Sequence, residues 1–436
     1  SFHYMEPAEW DTRQRLAAFA STLGDRAICH PNRFFLADPA EWTPRISPGF
    51  RMETFYRDMR RRTGRLMDGA QPEGGRWNYD EDNRKPLPKG LSAPPVAAFP
   101  PDPVTQEVLD MLAAWFPDGL GGPDGFELAV TRTQALELAE EFMEQRLPLF
   151  GPYEDAMSHG RHTLFHSKLS IYLNAGLLLP GELCDLAERA YRAGRAPLNS
   201  VEGFIRQILG WREYIRVYYE ATMPEVRTAN HFGFDAALPD AYMSGRTDLH
   251  CLSQCLEPVL QGAWSHHIPR LMVLSNFSNL TRTDPRELER WFLLAYADAY
   301  EWVELPNVLG MSTFADGGVL ASKPYAAGGA YVNRMSDYCR RCRYDVRQKT
   351  GPDACPLNYL YWDFVDHARD TFSRSGRASF MVRSFDKKSA DEKAAIRRDA
   401  EAFRASLPRL APGWERPGEP PAAIASDSPA NPAADS

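Results

Sequence analysis

Thr131-Arg-Thr-Gln-Ala-Leu-Glu-Leu-Ala-Glu-Glu-Phe-Met-Glu-Gln145 sets the fold class, because Leu136, Leu138, Ala139, Phe142 and Met143 recur with the 3.6-residue period of an amphipathic helix. Upstream, Val108, Leu109, Leu112, Ala113 and Phe116 keep the same period. Downstream, the pattern predicts helices around residues 164–176, 180–193, 200–219, 251–275, 284–303, 358–373 and 390–405. Strand signals nearly vanish after residue 105, so the chain reads as mostly α.

The 436 residues carry 50 Lys+Arg against 58 Asp+Glu, a net charge of −8, with 44% hydrophobic and 25% charged residues. That balance belongs to a globular chain long enough for a sizeable core. No run approaches the roughly 18 to 20 apolar residues of a membrane-spanning helix, and the first residues lack a basic, then apolar, leader. The expectation is a cytoplasmic monomer with no membrane partner. Seven cysteines are too sparse for a disulfide framework and cluster as metal ligands do.

Four regions are expected. Residues 1–45 hold a helix around 11–23 and a short strand at Ala27-Ile28-Cys29. One helix and one strand cannot bury a parallel sheet, so they read as the C-terminal remnant of an N-terminally truncated α/β domain. Residues 46–130 form a long connecting segment rich in Pro, Gly, Arg and Asp, docked by its aromatics, with a helical patch around 52–67. Residues 131–411 are the helical domain, and the Pro-, Ala- and Ser-rich residues 412–436 a disordered tail.

Cys339-Arg-Arg-Cys342 is followed by Cys355-Pro356, while Cys251 and Cys255 lie upstream on a separate helix. A CxxC pair offers two thiolates to one centre, and a third Cys before Pro is typical of iron-sulfur ligation. Arg340, Arg341 and Arg343 are expected to lower the thiol pKa values and offset a cluster's negative charge. Structural zinc and plain buried thiols remain the alternatives. Cys29 and Cys184 are expected in the core.

In Gly262-Ala-Trp-Ser-His-His-Ile-Pro-Arg270, helical spacing would put Trp264, His267 and Arg270 on one face, an indole, a proton shuttle and a cation together. Two helix histidines satisfied by neighbours are the bland equivalent. Asp298, expected on another helix, could pair with Arg270, since a buried Arg requires an anion. His166-Ser-Lys-Leu-Ser170 would open a helix whose free N–H groups suit phosphate, or serve as an ordinary cap. Gln207 and Trp211-Arg-Glu-Tyr214 make a polar-aromatic stripe of the kind more often used for packing.

These pieces occur in the order used by the photolyase and cryptochrome family. Ser167-Lys-Leu-Ser-Ile-Tyr-Leu173 resembles its T-S-R-L-S-P-Y-L flavin diphosphate motif, with Lys168 for Arg and Ile171 for Pro. Residues 207–214 resemble the W-R-E-F helix with Tyr214 for Phe, and 263–270 the A-W-I-H-H-L-A-R segment of (6-4) photolyases. Trp291-Phe292 followed at Asp298 resembles the helix whose Asp pairs with the flavin-side Arg. The cysteines, with residues 331–336 before the CxxC and 358–363 after Cys355, are similar to those of the iron-sulfur bacterial cryptochromes and photolyases. The resemblance spans about residues 1 to 410.

The resemblance implies a helical domain binding FAD and a 4Fe-4S cluster, preceded by the connecting segment and an antenna-domain remnant. Its ligands would be Cys339, Cys342, Cys355 and either Cys251 or Cys255, with Cys251 preferred. The flavin contacts carried over are Tyr153, Ser167, Lys168, Leu169, Ser170, Gln207, Arg212, Trp264, Arg270, Asp298 and, by counting along the Asp298 helix, Glu304. His267, with His266 beside it, would protonate the photoproduct. Leu271 stands where eukaryotic (6-4) enzymes place a second His, so any second relay must differ. Trp291 and Tyr331 would relay electrons.

The partner implied is UV-damaged DNA, held through Arg57, Arg60, Arg61, Arg62 and Arg65, then Arg76, Arg84, Lys85 and Lys89, unless the first group is a solvated helix face. Asp80 and Asp155 would hold Mg2+. A 6,7-dimethyl-8-ribityllumazine antenna is implied only with the rest of the α/β region. The activity implied is light-driven (6-4) photoproduct repair. The alternatives are a blue-light cryptochrome photoreceptor without repair and an iron-sulfur DNA-binding module akin to the primase large subunit, against which the flavin motifs speak.

Overall fold

The protein was analysed as a computed structural model that describes residues 1–411 except 118 and 377, and residue 414. The expected disordered tail, residues 412–436, therefore lies outside the described residues apart from residue 414. The chain opens with a strand not foreseen from sequence, β1 (Phe2–Met5), which pairs in parallel with β2 (Ala27–His30) across the helix Trp10–Leu23. Phe-His-Tyr-Met alternates half-buried and exposed positions, but four residues are too few for a period-2 signal. No residue of the Trp10–Leu23 helix is buried. The unit is instead tied down by polar contacts: Arg13 pairs with Glu220, the Trp10 N–H donates to the Tyr219 hydroxyl at 2.9 Å, and Arg227 bridges Asp11 and Glu301. Cys29, expected in the core, is exposed, whereas Cys184 is fully buried.

The Met52–Thr63 helix ends at Gly64 with φ 70°, the left-handed stop that glycine allows without a Cβ clash. Of the arginines expected to hold DNA, Arg60 is withdrawn from the surface, while Arg57, Arg61 and Arg62 stay exposed. Arg60 is fully buried and donates to the carbonyls of Arg65, Trp77 and Leu66. Arg61 pairs with Asp58, Arg62 with Glu41, and Arg65 with Asp185. Farther on, Arg76 meets Asp82 at 2.6 Å, while Lys85 and Lys89 are exposed.

The helical body packs around two large cores. One gathers Leu252, Phe277, Trp291 and Leu360; the other gathers Phe142, Leu183, Leu209 and Trp264. Arg132–Gln145 forms as its period requires, started by a reciprocal capping box between Thr131 and Gln134. Leu198–Ile205 runs without a break through a π-helical turn, Arg206–Arg212, into Glu213–Thr222 and so links the cores.

Four expected helices are interrupted, the 358–373 segment by no more than a turn at Ala368 between Pro356–His367 and Arg369–Arg374. The 164–176 segment is helical only over Ser170–Asn174, because Leu164 and Lys168 have left-handed φ of 46° and 58°. The 251–275 segment breaks after His250–Gly262, where Ala263 has φ 50°, and resumes as a π turn at Pro269–Ser275. The 284–303 segment splits into Pro285–Ala295 and Glu301–Leu305, the latter passing into a π turn at Pro306–Ser312. π turns are local widenings that hydrophobic periodicity does not report and that gather at functional sites. Among the described residues, no helix is long and apolar enough to cross a membrane.

Candidate active site and candidate metal centre

The breaks change how the candidate residues meet. Trp264 lies in the non-helical stretch after Ala263, so it does not share a helix face with His267 and Arg270; it faces the second core, with the Lys168 ammonium 5.5 Å from its ring centre. Asp298 lies in the turn between two helices rather than on one. The pairing with Arg270 nevertheless forms: the guanidinium donates through both terminal nitrogens to Asp298, at 2.9 and 3.1 Å, and to Glu304 at 3.2 Å. Its Nε donates to the Ser265 carbonyl at 2.9 Å and its plane lies 4.0 Å from the Tyr296 ring centre. Asp298 also accepts from the Ser170 hydroxyl at 2.6 Å, and its carbonyl from the Asn174 amide at 2.8 Å. Four fixed partners leave that largely buried guanidinium little freedom, as a cation out of water requires.

Glu304 is therefore a member of the site, although it stands on the helix after Asp298. Burial, with help from the Asp298 charge and against the pull of Arg270, pushes its carboxyl up to about 7 from an ordinary 4.5. Between those values the folded chain binds more protons than the unfolded one, so stability falls as pH rises from about 4.5 to about 7. Glu304→Gln is expected to flatten that slope; urea unfolding midpoints measured across this range check it.

Arg212 belongs to the same network at one remove. It is buried, donates to the Phe34 carbonyl at 2.7 Å and to Asn174 at 3.5 Å, pairs with Glu213 at 3.2 Å, and stacks between Phe35 and Trp302. The other expected flavin contacts divide. Ser167 caps the Leu169 N–H, and Tyr153 packs on Phe165. Gln207 is exposed and donates to the Gly203 carbonyl of its own helix, so it does not join the Arg270 network.

His267 is half exposed and its Nε2 lies 3.5 Å from Asp155. His266 is buried, with no hydrogen-bond partner at Nδ1. Beside them stands a residue quoted in the sequence only as part of a helix start, His166, whose ring stacks on His266 at 4.1 Å and 15°. Burial, helped by neighbouring His267, pushes His166 down to about 3, and burial likewise holds His266 well below its usual range. No local signal could have joined residues a hundred positions apart. Asp155 thus serves His267, and Asp80 is paired with Arg206 and, at 3.3 Å, with Arg84; each carboxylate expected to hold Mg2+ already faces a cationic or protonatable partner. Trp291 is fully buried and touches Tyr242, Phe292 and Tyr296, whereas Tyr331 lies apart from these rings beside Arg334.

The cysteines converge on a small cavity lined by Cys251, Cys339, Cys342 and Cys355 with Leu249, Gly329, Val332, Tyr338 and Leu357. Cys255, one turn farther along the His250–Gly262 helix, does not line it. Gly329 keeps the cavity open, since a Cβ there would come within 2.8 Å of Cys355 Sγ. Among the described residues, no three of these sulfurs lie within 4.8 Å of one another. The expected lowering of thiol pKa by arginine is not seen: burial and the neighbouring thiols push Cys339 up to about 12, and Arg343 is bound to Asp248 at 2.6 Å.

Comparison with known proteins places these sites in context. A family model described as deoxyribodipyrimidine photo-lyase-related protein matches residues 1–128. The chain is 45% identical over 404 residues to the (6-4) photolyase of Agrobacterium fabrum (strain C58), covering 92% of this chain and 80% of that protein. Among solved structures, a bacterial class III photolyase from Agrobacterium tumefaciens aligns over 92% of this chain and 78% of its own at 17% identity, with a TM-score of 0.49. A Synechocystis cryptochrome aligns over 91% and 78% at 14% identity, with a TM-score of 0.47. On the strength of the long, 45% identical match, the chain belongs to the photolyase and cryptochrome family.

Proposed function

We propose that this protein repairs (6-4) pyrimidine photoproducts in DNA under blue light, using FAD held in the helical domain and a 4Fe-4S cluster in the cysteine cavity. The observation that carries the reading is the placement, on one short segment, of a multiply fixed guanidinium at Arg270 and a solvent-accessible imidazole at His267. The match to a (6-4) photolyase over most of the chain supports it. When bound and reduced, FAD supplies the light-driven electron.

The chain's own residues supply position and protons. Arg270, fixed by Asp298 and Glu304, is a pre-oriented donor for the cofactor, with Ser170 and Asn174 holding Asp298 from its other side. Such a donor needs no reorganisation during the reaction. His267 is the imidazole that DNA can reach, with Asp155 3.5 Å from its Nε2 to orient it, so it is the general acid for a flipped photoproduct. The four thiols around one cavity and the space preserved by Gly329 suit a cluster held by Cys251, Cys339, Cys342 and Cys355.

The test is anaerobic purification, an absorption spectrum for flavin and iron-sulfur bands, and illumination with DNA carrying a (6-4) photoproduct. Repair is expected, and His267→Ala is expected to lower its rate by about 100-fold or more while flavin content is retained. Reversible photoreduction without repair would replace this reading with that of a photoreceptor, and absence of flavin would overturn both.

A further inference from the structure

We propose that His166 is a positioning residue for His267: with His266 it forms a fixed, neutral two-imidazole platform against which His267 keeps its proton. The inference deepens the repair reading and rests on it for its functional meaning, but the platform itself can be measured without any repair.

Three observations carry it. The His166 and His266 rings stack at 4.1 Å and 15°, and His267 meets both edge-on, at 5.6 Å and 64° to His166 and 5.8 Å and 66° to His266. His166 Nε2 lies 3.0 Å from the Glu154 carbonyl. A carbonyl oxygen only accepts, so the proton sits on Nε2 and Nδ1 keeps a lone pair. Lastly, the backbone around His166 is held in a costly form. Leu164 and Lys168, two residues to either side, both have left-handed φ, uncommon for any residue with a Cβ and rarer for one as bulky as leucine.

The charges around His267 agree with a division of labour. It faces Asp155 and Glu154 after the Leu147–Tyr153 helix, Arg84 and, behind it, Arg206, and on its own segment His266 with Arg270. Burial disfavours charge on both stacked imidazoles, and His267 is the one ring of the three that solvent reaches. Neutral imidazoles offer it a π face and a lone pair, whereas a second imidazolium would repel it.

A transition metal is the obvious rival, because the ring nitrogens of the three histidines lie within 4.8 Å of one another. Geometry argues against it. Imidazoles bound to one ion at about 2.0 Å must point in-plane lone pairs at the same spot. Rings stacked almost parallel direct theirs along separate lines.

The test replaces His166 by Phe, which keeps the ring and its stack but removes both nitrogens, and by Gln, which keeps a donor for the Glu154 carbonyl. Ring 13C-labelled histidine, followed by NMR in the dark holoprotein, reads the titration of His267. The Phe variant is expected to weaken proton binding at His267 roughly threefold, about 0.5 pH unit downward. The alkaline limb of single-turnover repair is expected to move the same way, with DNA affinity and flavin content unchanged. Gln is expected to recover part of the shift. An unmoved His267 titration in either variant that retains flavin would overturn the proposal. A shifted titration in a protein that repairs nothing would uphold the platform and sink the repair reading instead.

Discussion

Asp298→Ala is expected to be among the most damaging single substitutions in the chain, costing about 3–5 kcal/mol of stability, because it removes one partner of a buried ion pair and strands the other. Arg270 cannot shed its proton. With Asp298 gone, its guanidinium keeps only Glu304 at 3.2 Å, the Ser265 carbonyl and the face of Tyr296. The Ser170 hydroxyl also loses its acceptor. Some relief follows, since Asp298 is one of the charges holding Glu304 near 7; without it, Glu304 ionises more readily and turns toward Arg270. That places the loss toward the lower end of the range. Arg270→Met behaves differently. It leaves two carboxylates that can take up protons, so its deficit is expected to be small at about pH 5 and to grow toward pH 8. Urea unfolding of the two variants at these pH values separates the cases: an Asp298→Ala deficit below about 1 kcal/mol would show that Arg270 is solvated rather than buried.

That pair also shows how the sequence speaks and where it falls silent. Arg270 and Asp298 were legible as partners because a buried arginine demands an anion, a rule about charge that survives errors in secondary structure. The route was wrong in detail. Asp298 was expected on a helix that in fact stops at Ala295, and Trp264 on a helix face broken by Ala263. Periodicity reads apolar positions, and a π turn or a left-handed residue leaves those positions almost unchanged while redirecting the polar side chains between them. In the arginine run from residue 57, Arg60 alone is withdrawn from the surface, for another reason. Five cations in nine residues suit a basic segment facing DNA, yet three carbonyls turn inward to receive Arg60, and backbone acceptors carry no mark in the sequence. His166 was hidden by distance along the chain, its stacking partner lying a hundred residues away. The cysteines, by contrast, were readable by type and spacing, with one ambiguity that only three dimensions resolve.

That ambiguity yields the second large expected effect. Cys251→Ser should abolish iron-sulfur absorption and bound iron, whereas Cys255→Ser should keep both. The two cysteines sit one helical turn apart and both are buried, so burial does not distinguish them. What separates them is position along the helix. Cys251 lines the cavity shared with Cys339, Cys342 and Cys355, and its thiol is raised by burial and then by Cys255 and these three thiols; for Cys255 burial is the sole cause of the rise. A cluster is worth on the order of 10 kcal/mol to a fold that binds it only when assembled, if structural zinc sites are a guide. Losing its fourth ligand should therefore also unravel the segment from the 3-10 turn at Tyr338–Arg341 to the start of the Pro356–His367 helix, which is held around this cavity. Replacing Cys255 removes only a small buried sulfur, at about 1 kcal/mol. Iron content and the visible spectrum of the two anaerobically purified proteins decide the matter: iron retained in Cys251→Ser and lost in Cys255→Ser would reverse the assignment and require the His250–Gly262 helix to slide by about 6 Å along its axis and turn by about 40°.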